Sequence, residues 1–517
     1  MKLSIRVDAS TQIGTGHVMR CLTLAKALKS KGAKCHFICR QHEGNLIELI
    51  KSNGFNVTAL PSGDSFKPGT TASLAHADWL GATQEEDARQ TIAVIDKAGQ
   101  PVDWIVVDHY GIDATWESMI APHAKRIFVI DDLADRKHAC HVLLDQNLGK
   151  TKADYAKLVR ENSVTLLGPQ YALLHPQYSE LHLRTPPRQG PLKNIFIYFG
   201  GSDPHNVTGM ATKACLALNC PEIKLNVVLG NSYAHRPALE RLANEYSNFH
   251  LHQNLSSLAP LMLEADLAIG AGGSTSWERC AMGLPAIIIT IAANQIPIAN
   301  ELHKAQAAVY IAKVENVTES NIEQAVRNWL VRTDAVEWSK RCLAVTDGRG
   351  VERVVAAMGV GGALQARLAT QSDEELLFEW ANDALVRANS FNSEPISAEE
   401  HHIWFYRKLQ QVNICRIYII ETVAGLPIGQ VRFDWDEEKK GWLIDYSVDA
   451  TMRGQGLGCR ILEKAIEELR KDKQGALIFA EVKEQNYVSQ KIFTKMNFEK
   501  IDILGGVFLF VQMPIVG

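Results

Sequence analysis

At 517 residues the chain is too long for one hydrophobic core, and about three or four compact units are expected. With 22% charged and 46% hydrophobic residues and a formal net charge of -4, it has no field that would gather nucleic acid or an anionic membrane. Its partners are therefore expected to be small molecules. The 10 cysteines show no Cys-x-x-Cys spacing, which suits reduced thiols in a cytoplasmic protein better than a disulfide frame or a zinc site.

Met1 to Ser10 alternates apolar and polar residues as a strand does and lacks the long apolar stretch of a signal peptide. The most apolar run, Leu284 to Ala293, is about half the length of a spanning helix and reads as a buried strand. A strand at Leu3 to Val7, a Gly-containing loop at Ser10 to Gly16 and a helix burying Met19, Leu22, Leu24, Ala25 and Leu28 form the first βα unit. Further strand-like runs at Cys35 to Cys39, Trp104 to Val107 and Arg126 to Ile130 alternate with helical stretches, as in an open parallel α/β sheet. They end near Asp8, Asp108-His109 and Asp131-Asp132, on the side where such sheets bind ligands. Gly14 and Gly16 open space beside His17, and the positive end of a helix disfavours imidazolium, so a neutral ring can serve as a base. The plainer role for His17 is packing at the helix start.

Around Arg184 to Pro191 the sequence is rich in residues that break helix and strand, which marks a boundary between units at 1–185 and 190–357. A second α/β series follows, with strands at Asn194 to Phe199, Leu225 to Leu229, Leu267 to Ile269 and Ala286 to Ile289. Two Gly-rich turns, Gly200-Gly201-Ser202-Asp203 and Gly270-Ala271-Gly272-Gly273-Ser274, could bracket a diphosphate with their amides. Glu278, one turn into the next helix, could accept ribose hydroxyls, and Asn294, Gln295 and Asn300 could bind a sugar; otherwise these are helix-surface and turn residues. His138-Ala139-Cys140-His141 and His250-Leu251-His252 lack a second matching pair and read as surface or strand residues, so no metal is expected.

This constellation resembles the GT-B architecture of MurG-like transferases. More closely, Asp8-Ala9-Ser10, Gly14-Thr15-Gly16-His17, Asp108-His109-Tyr110-Gly111, Asp131-Asp132, Tyr171-Ala172-Leu173 and Gly201-Ser202-Asp203 resemble the PseG family over residues 1 to about 350. That family hydrolyses UDP-2,4-diacetamido-2,4,6-trideoxy-β-L-altropyranose in pseudaminic acid biosynthesis. The resemblance implies that His17 activates water, with Gly14, Gly16, Gly200, Gly201, Ser202, Gly272, Gly273, Ser274, Glu278, Asn294 and Gln295 around the UDP-sugar.

Met358 to Gly362 reads as a joint, with a linker at 358–363 and a third unit at 364–517. Strands at Cys415 to Glu421, Gly429 to Asp434 and Trp442 to Val448 lead into Arg453-Gly454-Gln455-Gly456-Leu457-Gly458 and a helix with Leu457, Ile461, Leu462, Ala465, Ile466 and Leu469 on its apolar face. Such a loop could hold a pyrophosphate or simply be a tight turn. After a strand at Ala476 to Val482 come Asn486, Ser489, Phe493, Met496 and Phe498, and the segment resembles the GNAT family of N-acetyltransferases, with a mixed-sheet α/β fold. The resemblance implies acetyl-CoA bound at Arg453, Gly454, Gln455, Gly456, Gly458 and Asn486, and Glu481 at a general-base position that could equally be a solvated strand residue. Phe493 stands where many relatives have a proton-donating tyrosine, so Tyr487, Tyr446 or water must substitute, or no protein acid is needed.

Because an acetyltransferase of the PseH type precedes the hydrolase in the same pathway, the fusion suggests consecutive steps on one UDP-amino-sugar. The rivals are a MurG-like glycosyltransferase in front, and behind it an acetyl-CoA-binding sensor or an acetyltransferase of another amine. Nothing in the sequence specifies an oligomeric state.

Overall fold

The structure, a computed structural model, describes residues 1–62, 74–97, 101–161, 163–201, 203–230, 233–358, 364–422, 427–453, 456–473 and 475–513. It divides into two compact units, Met1–Val355 and Ala356–Gly517. Of the joint expected at 358–363, all but Met358 lies outside the described residues.

The first unit opens with a parallel sheet of β1 (Lys2–Val7), β2 (Lys34–Arg40), β3 (Asn56–Leu60), β4 (Trp104–Asp108), β5 (Ile127–Ile130), β6 (Val142–Asp145) and β7 (Val164–Leu167), in the order β3-β2-β1-β4-β5-β6-β7. Strands β4, β5 and β6 are buried at every position, as parallel strands covered on both faces must be. The order reverses direction between β1 and β4, where Val7 pairs with Asp108. That reversal opens the crevice in which ligands of doubly wound sheets bind. The helix Gly16–Ser30 buries Leu22, Leu24, Ala25 and Leu28 as its pattern requires. Met19 does not join them: it is 49% exposed, and His17, Arg20 and Cys21 take the inward positions instead.

A second parallel sheet follows, with β8 (Asn194–Tyr198), β9 (Lys224–Leu229), β10 (Phe249–Gln253), β11 (Leu267–Gly270), β12 (Ala286–Thr290) and β13 (Ala308–Lys313) in the order β10-β9-β8-β11-β12-β13. Here the reversal lies between β8 and β11, where Tyr198 pairs with Gly270. The crossover segment is already part of this half's core, since Ala172, Leu174 and Tyr178 pack with Phe196, Trp277 and Met282. Arg188 fixes its end by donating to the carbonyls of Met262, Ala265 and Met282.

The second unit is a mixed sheet of β14 (Leu364–Leu368), β15 (Cys415–Thr422), β16 (Pro427–Asp436), β17 (Gly441–Val448), β18 (Ile478–Lys483), β19 (Glu499–Leu504) and β20 (Val507–Gln512), ordered β14-β15-β16-β17-β18-β20-β19. All neighbours are antiparallel except β17 and β18, which run parallel. That pair is joined at Trp442↔Ile478 and Leu443↔Phe479 and then splays apart over Ile444–Val448 and Ala480–Lys483. Gly441 permits the close approach at the joined end, because a Cβ there would lie 2.4 Å from the Phe479 ring. Helix Leu457–Asp472 buries Leu457, Ile461, Leu462, Ala465, Ile466 and Leu469 against one face.

Candidate functional site

His17 occupies the first turn of the helix that follows β1, at the first sheet's reversal, and is 8% exposed. Its Nδ1 lies 2.5 Å from Oδ1 of the fully buried Asp108 at the end of β4. Burial alone would push the Asp108 carboxyl up, but Arg20 and His17 outweigh it and hold the group well below the usual carboxylate range. A carboxylate oxygen and a ring nitrogen that close share a proton, so Nδ1 carries it, and in the neutral ring Nε2 is then the acceptor. Arg20 locks the carboxylate with Nε at 2.7 Å and Nη2 at 2.6 Å, and its Nη1 reaches Asp132 at 2.6 Å. Tyr110 donates to the same Asp132 oxygen at 2.9 Å and presents its ring edge-on to His17, 4.7 Å between centroids. Trp79 stacks on Tyr110, and His76 lies against both, forming an aromatic wall beside the imidazole.

A second buried lattice backs this site. Asp8 accepts from Arg6 and from the Arg40 amide, each at 2.6 Å, and Arg6 and Arg40 both bind Asp87. His109 accepts from the Gly111 amide at Nδ1, and burial lowers its pKa to about 3, so it is neutral with its proton on Nε2. His138 is neither the surface nor the strand residue the sequence suggests: it is buried in the segment before β6, with Nδ1 2.7 Å from Glu117 Oε1 and Nε2 3.8 Å from Asp131. The polar run reads as surface, but buried carboxylates from two other segments offset its charge. Among the described residues no group of three or more His, Cys, Asp and Glu could hold a metal ion.

The two Gly-rich turns sit side by side, since one follows β8 and the other β11 at the second sheet's reversal. A Cβ on Gly201 would lie 3.9 Å from Thr15 Oγ1, so this turn faces the loop of Gly14, Gly16 and His17. Ser202 lies outside the described residues. Asp203 caps the helix Val207–Leu216 through the amides of Val207 (3.0 Å) and Thr208 (2.7 Å), which are therefore spoken for. At the other turn Gln295 Oε1 accepts from the amides of Gly272 (3.3 Å) and Ile291 (3.0 Å), so this residue shapes the turn. Gly273 and Ser274 lead into the helix Thr275–Ala281, while Asn294 and Asn300 are exposed around the helix Gln295–Lys304. Glu278 is half-buried beside Tyr178; burial raises its pKa to about 7, opposed by its hydrogen bond with Tyr178.

In the second unit Gly454 and Gln455 lie outside the described residues. Gly456, at φ 70° before helix Leu457–Asp472, has open space where a Cβ would be, whereas Gly458 allows Ile492 of the following helix to approach. Arg453 donates to the Val448 carbonyl at 3.0 Å and pairs with Asp383 at 2.7 Å. Asn486 caps helix Tyr487–Lys495 through the Ser489 amide at 3.1 Å. Glu481 is paired with Lys439 at 3.3 Å and its side chain is 32% exposed. Phe493 is 2% exposed and packs against Tyr446, Phe498 and Phe510.

Fold and site together define a class: a GT-B-like pair of Rossmann-like parallel sheets followed by a GNAT-like mixed sheet. Comparison with known proteins agrees with that division, as residues 195–342 match the glycosyltransferase family 28 C-terminal domain and residues 364–499 match the acetyltransferase (GNAT) domain. The chain is thus similar to the family 28 C-terminal domain in the second sheet of its first unit and to the GNAT acetyltransferase domain in its second unit. An uncharacterized protein of Methanocaldococcus jannaschii is 22% identical over 521 residues, 97% of each chain. The UDP-2,4-diacetamido-2,4,6-trideoxy-beta-L-altropyranose hydrolase of Campylobacter jejuni is 25% identical over 276 residues, covering 53% of this chain and 86% of that protein. Among solved structures, MurG of Acinetobacter baumannii is similar at 14% identity and a TM-score of 0.49, covering 69% of this chain and 99% of that one.

Proposed function

We propose that the first unit hydrolyses a UDP-linked amino sugar to UDP and the free sugar, and that the second transfers acetyl from acetyl-CoA to an amino group of that sugar's precursor. The observation that carries the first half is the His17–Asp108 pair at 2.5 Å. With its proton fixed on Nδ1, the ring presents Nε2 as a base toward the crevice. Water gives that nitrogen a proton as its oxygen attacks the anomeric carbon, and the bond to the diphosphate oxygen breaks. The imidazolium formed is stabilised by the Asp108 carboxylate, which is already ionised; such bases contribute about 10² to 10⁴ in rate. UDP leaves toward the Gly200-Gly201 and Gly272-Gly273 turns, where backbone amides offset its charge.

The C. jejuni relative supports UDP-2,4-diacetamido-2,4,6-trideoxy-β-L-altropyranose as the substrate and pseudaminic acid biosynthesis as the setting. On that reading the second unit acetylates the 4-amino group of the preceding UDP-sugar. Arg453, Gly454, Gln455, Gly456, Gly458 and Asn486 would hold acetyl-CoA, and Glu481 would take the ammonium proton. The GNAT match and the splay of β17 from β18 support this.

The family 28 match favours one rival, in which the same base deprotonates an acceptor hydroxyl and the sugar is transferred. Purified protein is expected to release UDP from the diacetamido UDP-sugar with no acceptor present. Release that depends on an added acceptor sinks the hydrolase reading. Free thiol formed from acetyl-CoA and the UDP-4-amino sugar checks the second half, and its absence favours an acetyl-CoA sensor.

A further inference from the structure

The acetyl transfer proposed above leaves a thiolate that needs a proton, and Phe493 has none to give. We propose that Tyr446 supplies it, held in place by Ser489. The inference rests on the acetyltransferase reading of the second unit and concerns how this chain completes the reaction.

Tyr446 stands on β17 beyond the last residue that pairs with β18, so it borders the opening between the two strands. Its hydroxyl lies 3.0 Å from Ser489 Oγ, one turn before Phe493 on helix Tyr487–Lys495. The Phe493 ring meets the Tyr446 ring edge-on at 5.9 Å between centroids, which fixes the tyrosine's tilt. The hydroxyl missing from Phe493 is therefore replaced by one on its immediate neighbour, on a residue that borders the same opening. Tyr487, the other candidate in this stretch, is 67% exposed at the start of the helix. Burial raises the Tyr446 pKa, which keeps the hydroxyl protonated at neutral pH.

Strand alternation adds a second observation. Tyr446 belongs to the face of the sheet that packs with Ala480 and Val482, whereas Glu481, one residue along from each, points to the opposite face and Lys439. A proton donor and a proton acceptor thus flank the opening from its two sides. A thioester threaded between the strands would meet the amine and Glu481 on one face and Tyr446 on the other. The amine nitrogen attacks the thioester carbonyl, and its surplus proton goes to Glu481. The C–N bond forms, the C–S bond breaks, and the sulfur leaves with the electron pair and takes the Tyr446 proton. The phenolate recovers a proton from solvent through Ser489.

The test measures thiol release from acetyl-CoA by the full-length chain with a UDP-4-amino sugar. Tyr446→Phe is expected to lower kcat about 10²-fold while KM for acetyl-CoA stays within about twofold. Ser489→Ala is expected to lower kcat less, and Ser489→Thr, which keeps the hydroxyl, to restore it. Unchanged kcat in Tyr446→Phe overturns the proposal, as does a parallel loss in kcat and acetyl-CoA binding, which marks a packing role. If the wild-type chain releases no thiol, the acetyltransferase reading itself fails and this proposal falls with it.

Discussion

At the ligand-facing edge of the first parallel sheet the strands run into charge, with Asp8 after β1, Asp108 at the end of β4 and Asp131 after β5, each fully buried and tied to an arginine. At the same edge of the second sheet they run into glycine: Gly200 after β8, Gly230 after β9 and Gly270 at the end of β11. The glycines are there for room. A Cβ on Gly230 would lie 2.0 Å from the Gly201 carbonyl oxygen, and one on Gly270 would lie 2.6 Å from the Tyr198 carbonyl. Two copies of one architecture have thus been given different tasks. The first holds charged groups in a buried ion lattice that tolerates little displacement, and the second lets neighbouring backbone segments pack close together.

If that division holds, changes at the first edge should cost rate and changes at the second should cost binding. His17→Ala is expected to lower UDP release about 10³-fold or more while leaving acetyl transfer by the second unit intact; retained hydrolysis removes His17 from the mechanism. Asp108→Asn should approach that loss, about 10²- to 10³-fold in kcat, because the amide no longer selects the Nδ1–H tautomer. Gly230→Ala should instead weaken UDP binding at least about tenfold by calorimetry, since its methyl group displaces the Gly201 turn. Equal affinity in that variant would mean the turn does not touch the nucleotide.

Smaller effects should appear in stability rather than activity. Burial lowers the His138 pKa, but its contacts with Asp131 and Glu117 outweigh that and raise it from 6.5 to about 9. This contribution is therefore fully present below pH 6.5 and is lost as pH rises through 9, with an upper bound on the order of 3 kcal/mol. Urea midpoints of wild type and His138→Gln across pH 6 to about 10 check it, and a pH-independent difference would refute the pairing. Arg188→Ala should cost about 2 kcal/mol by leaving the Met262, Ala265 and Met282 carbonyls short of a donor. UDP release at low temperature should be unaffected.

Much of this organisation is legible in the amino-acid sequence. Alternating and continuous apolar runs locate the strands around Cys35 to Cys39, Trp104 to Val107 and Leu225 to Leu229 because strand burial has a short period that neighbouring residues carry. The Gly-rich turns and the His17 helix start are visible for the same reason. The roles of Asp108, Arg20 and Asp132 are not, although Asp108 and Asp132 stand out as strand ends. His17 and Asp108 are 91 residues apart in the chain, and only the adjacency of β1 and β4 joins them. Periodicity misplaces Met19 because it leaves the inward set of a helix uncertain by one position, and buried Arg20, with its two aspartates, decides the matter.

Local sequence therefore carries the vocabulary of this protein: which runs are strands, where backbone must turn on glycine, and that a histidine begins a helix beside a crevice. What each polar group answers to is a property of the folded chain. Asp108 is the partner of His17, Gln295 a brace for the Gly272 turn, and Tyr446 the hydroxyl beside Phe493, and none of these pairings is written in the residues around them. The reason is physical. Burial periodicity is set by neighbours a few residues away, whereas a desolvated charge or hydroxyl is satisfied by whichever group the strand order brings within about 3 Å.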